Sequence, residues 1–79
     1  MTHEDSVALS QLVGGIKRAR RMVYSNGGQI HGIAKRNAGT TAASLCEGGA
    51  KCLLSAVYWL DQAIDVFGTV TRLNKEPAR

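Results

Sequence analysis

Two histidines, two cysteines and one close pair of aspartates are the residues of this chain that could do chemistry. His3, His31, Cys46 and Cys52 are the donors a transition metal would select. No two of them stand at a ligand spacing such as C-x-x-C or H-x-x-x-H, so no metal site is predicted. For covalent catalysis there is no G-x-S-x-G elbow to mount a serine. Asp61 and Asp65 lie one helical turn apart. A carboxylate pair serves as acid and base only where its surroundings push the two pKa values apart. Both aspartates fall on a polar wedge and are expected in water. Gly27 and Gly32 have the G-x-x-x-x-G spacing of a phosphate loop, but Ile33 and Ala34 follow where that loop needs lysine and a hydroxyl. The stretch reads as a turn. The chain is therefore expected to be no enzyme and to carry no cofactor.

The basic residues carry more functional weight. The net charge is +4, and residues 1–40 hold six cations against two acids. Lys17, Arg18, Arg20, Arg21, Lys35 and Arg36 are predicted to bind a partner with an anionic surface. That partner is a larger protein, a nucleoprotein complex, or DNA or RNA. On a helical wheel Lys17 and Arg21 lie side by side near Tyr24, while Arg20 falls at the edge of the apolar seam. Sequence-specific DNA reading is disfavoured, since no short helix is followed by a polar recognition helix. Four aromatic residues are too few for a single-strand stacking platform.

These residues need elements to hold them, and the spacing predicts an all-α chain in one domain over residues 1–79. Thr2 caps a first helix over about 3–24, with Glu4 and Asp5 in its first turn. Leu9, Leu12, Ile16, Ala19 and Val23 form its apolar seam, widened by Val13 and Met22. Ser25-Asn26-Gly27-Gly28 is expected to end it. A short middle helix is predicted over about 29–37, followed by a break at Asn37-Ala38-Gly39. A long helix, capped by Thr40 or Thr41, is predicted over about 41–73, with a frayed tail over 74–79.

The long helix carries two apolar stripes. One runs Cys46, Ala50, Leu53, Val57, Leu60, Ile64, Phe67, and the other Cys52, Ala56, Trp59, Ala63, Val66, Val70. At about 100° per residue the polar positions fill a wedge of only about 120°. The first helix can cover one stripe. The other is predicted to be a dimer interface, completing a small helical bundle by pairing two copies. Gly48-Gly49, beside Ala42, Ala43, Cys46 and Ala50, is expected to admit a close neighbouring backbone; Gly14-Gly15 could serve close packing or a kink.

Composition sets the remaining bounds. A chain of 79 residues gains little from its own core. Cys46 and Cys52 point about 120° apart on a helix and cannot bridge to each other, so two thiols in a reducing cytoplasm are expected. Residues 1–15 lack a basic start and an apolar run, so no leader is expected. The longest apolar stretch, nine residues from Cys52 to Leu60, falls short of the roughly 20 that a membrane span needs. The function expected is a non-enzymatic interaction module, a small inhibitor or adaptor. Phage-encoded inhibitors of host defence, anti-CRISPR proteins among them, are the leading example by analogy of class alone. The alternative is a dimeric basic protein that binds nucleic acid through residues 17–36.

Overall fold

The computed structural model describes residues 1–75, with side chains through Leu73. Two helices, α1 (His3–Arg36) and α2 (Thr41–Lys75), pack antiparallel as a hairpin, and no strand occurs among the described residues. Thr2 starts α1: its hydroxyl oxygen accepts from the Asp5 N–H at 3.1 Å. Glu4 and Asp5 in the first turn, and Lys35 and Arg36 in the last, suit the helix dipole. At the other end the Asn37 side-chain amide donates to the Ile33 carbonyl at 2.9 Å. Gly39, at φ +90°, supplies the left-handed residue that turns the chain. Thr40 then caps α2. Its hydroxyl donates to the Asn37 carbonyl at 2.9 Å and accepts from the Ala43 N–H at 3.0 Å.

The expected end of the first helix at Ser25–Gly28 is absent, and so is a separate short helix over 29–37. Helix α1 runs unbroken through both. None of Gly27, Gly28 or Gly32 takes a positive φ, so none acts as a turn or a C-cap. The residues that read as a phosphate-loop mimic and a turn are helical. Gly27 and Gly28 cost about 1 kcal/mol each against alanine. Packing along α2 outweighs that cost, because a helix this long is held by its buried face rather than by propensity. Gly27 is buried at the helix contact, where a Cβ would lie 3.5 Å from the Leu53 Cβ.

The contact line has a strict four-three spacing on both helices. On α1 it runs Leu9, Val13, Ile16, Arg20, Val23, Gly27, Ile30, Ala34; on α2 it runs Ala43, Cys46, Ala50, Leu53, Val57, Leu60, Ile64, Phe67. Every one of these is buried or half-buried. The first α2 stripe is thus the hairpin core. The α1 seam is shifted from expectation: Leu12, Ala19 and Met22 are exposed, and Val13 and Arg20 face inward. Arg20 is accommodated because Asp61 meets it. Its Nε and Nη2 donate to the two carboxylate oxygens at 2.9 and 3.1 Å, a bidentate pair across the helices. Asp61 is therefore paired within the hairpin while its side chain stays partly in water. The hydrogen bond from Arg20 holds the Asp61 carboxyl below its ordinary value, against a smaller opposing effect of desolvation. The same bond raises the Arg20 pKa.

The hairpin is a thin rod of 63 × 17 × 12 Å with a radius of gyration of 18.0 Å. A compact domain of this length would have a radius near 12 Å. Its 6164 Å² of accessible surface exceeds the roughly 4,600 Å² that surface scaling gives a compact 8.4 kDa protein.

Two predictions follow from this packing. A Cβ at Gly28 would meet nothing within 4 Å, so Gly28→Ala should stabilise the fold by about 1 kcal/mol, read from a denaturant midpoint. Destabilisation would mean that α1 needs the glycine. The Arg20–Asp61 pair strengthens above the ordinary aspartate value of 3.8 and is lost as pH falls through the depressed value beneath it. Asp61→Asn should therefore lower the melting temperature at neutral pH, and the difference should close on acidification well below the ordinary aspartate value. A difference that stays constant with pH would remove the pair from the account.

Candidate functional site

An antiparallel pair of helices has two broad faces, and in this hairpin they differ in chemistry. One is polar. Tyr24, Gly28 and His31 of α1 and Glu47, Lys51 and Leu54 of α2 line a cleft of about 300 Å³ on it. Its floor is Gly27 and Ala50, where an absent side chain and a methyl group leave room. His31 Nδ1 lies 2.9 Å from Glu47 Oε1 across the cleft, with both side chains partly exposed. Further along, the Arg20 guanidinium sits 5.4 Å from the centre of the Tyr24 ring, a cation–π contact beside the Asp61 pair.

The predicted partner-binding cations do not form one cluster. Arg20 is turned inward and paired with Asp61. Lys17 and Arg21, one turn apart, project from the polar face at the edge of α1, and Lys35 follows about 21 Å beyond Arg21. Arg18 and Arg36 point away from α2. The Arg18 guanidinium folds back over Gly14 and Gly15, 3.6 and 3.7 Å from where their Cβ atoms would stand, and Arg36 lies likewise 3.5 Å from Gly32. The glycines clear a path for an arginine one turn on, which gives Gly14-Gly15 a local role. The arrangement spreads five cations over the polar face and the outer edge of α1. Among the described residues the close contacts of a basic side chain with a carboxylate are Arg20–Asp61 and His31–Glu47, so no acid lies within 4.0 Å of Lys17, Arg18, Arg21, Lys35 or Arg36. Lys51, across the cleft, is a further exposed cation that the sequence reading left out.

The opposite face is apolar. The second α2 stripe lies here with Leu45, Gly49 and Leu73 added to it: Leu45, Gly49, Cys52, Ala56, Trp59, Ala63, Val66, Val70, Leu73. The spacing is again four-three throughout, a second heptad seam on the same helix. Helix α1 contributes a matching line of Ala8, Leu12, Gly15, Ala19, Met22, Asn26, Gln29 and Ile33. Neither line contains a charge. Trp59 is 68% exposed, Leu12 67%, Met22 65% and Val66 61%. Cys52 is an exposed free thiol, while Cys46 is half-buried in the core seam. Gly48 and Gly49 do not serve a close approach inside the hairpin, since a Cβ at either would meet nothing within 4 Å. The α1 half of this face escaped the sequence reading. Its signal was the second four-three track beside the first, uncharged throughout and polar only at Asn26 and Gln29.

Among the described residues no three His, Cys, Asp or Glu side chains converge. Asp65 and Asp61 stay apart in role, since Asp61 is held by Arg20. No helix among them is long and apolar enough to cross a membrane. Comparison of the chain with protein-family models, curated proteins and solved structures returns no match, so its reading rests on its own residues.

Proposed function

We propose that this chain is a non-enzymatic interaction module of the cytoplasm that works as a homodimer. It docks on a larger protein or nucleoprotein assembly as an inhibitor or adaptor. The observation that supports this reading is the outer face, whose seam positions hold no charged residue. It runs the length of the rod and leaves Leu12, Met22, Trp59 and Val66 in water. Soluble monomers rarely expose a contiguous apolar face of this extent, and such faces mark interaction surfaces. The dimer covers that face and leaves the cationic edge of each α1 outward. Five cations per copy, doubled by the pairing, suit an acidic partner surface. Short inhibitors encoded by phages, anti-CRISPR proteins included, are the class of protein this describes. The proximity of Lys17, Arg18 and Arg21, with Lys35 and Arg36 further along α1, favours nucleic acid as the second reading.

Sedimentation tests the first part. The intact chain should run as two copies at micromolar concentration. Trp59→Glu should weaken the pairing by about 100-fold or more, because it buries an unpaired charge at the centre of the interface. A parent chain that sediments as one copy rejects the dimer. Salt titration tests the second reading. Duplex affinity should fall about 10-fold or more between roughly 50 and 200 mM salt if three or more of these cations meet phosphates. The double variant Lys17→Glu/Arg21→Glu should then abolish binding. Absence of duplex binding at low salt leaves an acidic protein surface as the partner of the cationic edge.

A further inference from the structure

We infer that the outer face is covered by a second copy of this chain lying face to face. In this arrangement α2 runs antiparallel to its counterpart, in the register that sets Trp59 against Ala56 and Cys52 against Ala63 of the other copy. The inference rests on the homodimer reading and goes beyond it by fixing which residues meet. Area supports the occupant. The face is bounded by the 63 × 17 Å extents of the rod, on the order of 1,000 Å² per copy, and a stable interface needs about 800 Å² from each partner. Covering it also removes much of the surface by which the hairpin exceeds a compact protein of its mass.

The spacing of the seam says that the cover is a helix. A repeat of 3.5 residues keeps a helix facing another helix over several heptads; a flat lipid surface or a nucleic-acid groove sets no such period. The absence of charge says the same, since phosphates would call for cations on this face. It also lets two copies, each at net +4, approach without bringing like charges together there.

The order of large and small residues selects the copy and its direction. One track of the seam carries the larger side chains, Trp59 and Val66 among them; the other is small through Gly49, Ala56 and Ala63. Antiparallel seams pack one track against the other, whereas parallel seams pack each track against itself. A two-fold axis passing between Val57 and Tyr58 sets Trp59 against Ala56, Cys52 against Ala63 and Val66 against Gly49. Each contact occurs twice, as an isologous interface requires. That axis crosses the middle of α2, whose ends are Thr41 and Lys75, so the helices overlap along their whole length. A parallel pair would stack Trp59 on Trp59 and leave a gap at Ala56. The pairing also gives a reason for Gly49, which has open space around it in the single hairpin.

Thiol cross-linking tests the register. Cys46→Ala leaves Cys52 as the only thiol and serves as the background. Adding Ala63→Cys places two thiols at facing positions, and mild oxidation should convert most of the chain to a covalent dimer. Ala56→Cys and Val70→Cys, in the same background, report registers one heptad away in either direction and should remain uncross-linked. Cross-linking of the background itself would mean Cys52 meets Cys52 in a parallel pair and would overturn the inference. Preference for Ala56→Cys or Val70→Cys would overturn the register. A background chain that sediments as a dimer, with no variant cross-linking, would overturn the face-to-face arrangement while leaving the homodimer intact. Background and parent chains that both sediment as single copies would overturn both.

Discussion

Two helices packed as a hairpin share one line of contact, and each can bury only one stripe against the other. In this chain that line runs from Leu9 to Ala34 on α1 and from Ala43 to Phe67 on α2, with no second layer behind it. Its core consists of Ala34, Ala43, Ala50 and Val57, with larger side chains only half-covered beside them. The small residues lie towards the turn: Gly27, Ala34, Ala43 and Ala50. The bulky ones, Leu9, Ile16, Leu60, Ile64 and Phe67, lie towards the free ends. The core therefore changes character along the rod. The cleft on the polar face opens where both helices carry glycine or alanine.

Electrostatics sorts the two edges of the rod. Two of the acids on α2 are engaged with α1: Glu47 faces His31, and Asp61 holds Arg20. Those contacts fix the relative register of the helices at two levels. They also account for Arg20, which would otherwise be a cation in the middle of the core seam. The remaining cations of α1 have no acid among the described residues within salt-bridge distance; Lys17, Arg21 and Lys35 lie on the polar face, and Arg18 and Arg36 point away from α2. The net charge of the chain thus has a direction: basic along α1, neutral across the apolar face. A small protein with its charge and its grease on separate surfaces can hold two partners of different chemistry at once.

The sequence made some of this legible. The inner stripe of α2, from Cys46 to Phe67, could be read from spacing because only one four-three track through it is uniformly apolar on that side. The α1 seam expected from spacing departs from the contact line at Leu12, Ala19 and Met22, which are exposed, and at Arg20, which lies on it. Leu9, Ile16 and Val23 belong to both candidate tracks, which differ only at Leu12 or Val13 and at Ala19 or Arg20. Hydropathy does not separate Leu12 from Val13, but it favours Ala19 over Arg20. The structure takes Val13 and Arg20, because Asp61 of α2 satisfies the guanidinium, and a partner 41 residues away leaves no local signal. The Ser25–Gly28 stretch has the local chemistry of a turn, and nothing nearby says that Leu53 will pack on Gly27. Both errors have one cause, a long-range contact overriding a local preference. The exposed cationic residues were legible as residues, but their division into five outward cations and one inward arginine needed the phase of the helix.

The second seam changes what the first must accomplish. A hairpin with one half-covered seam, and with Gly14, Gly15, Gly27, Gly28, Gly32, Gly48, Gly49 and Gly68 inside its helices, carries a large propensity cost for its size. For Gly28, Gly48, Gly49 and Gly68 the space around the absent side chain is empty within the hairpin. Neither turn geometry nor internal packing explains them there. Close approach of another helix does so for Gly49, which lies on the outer seam. In the proposed dimer the outer seam supplies the buried area that the inner one lacks, so folding and pairing draw on the same surface. The order of the rod is then tied to protomer concentration, and the cationic edges are presented in duplicate only when both copies are in place.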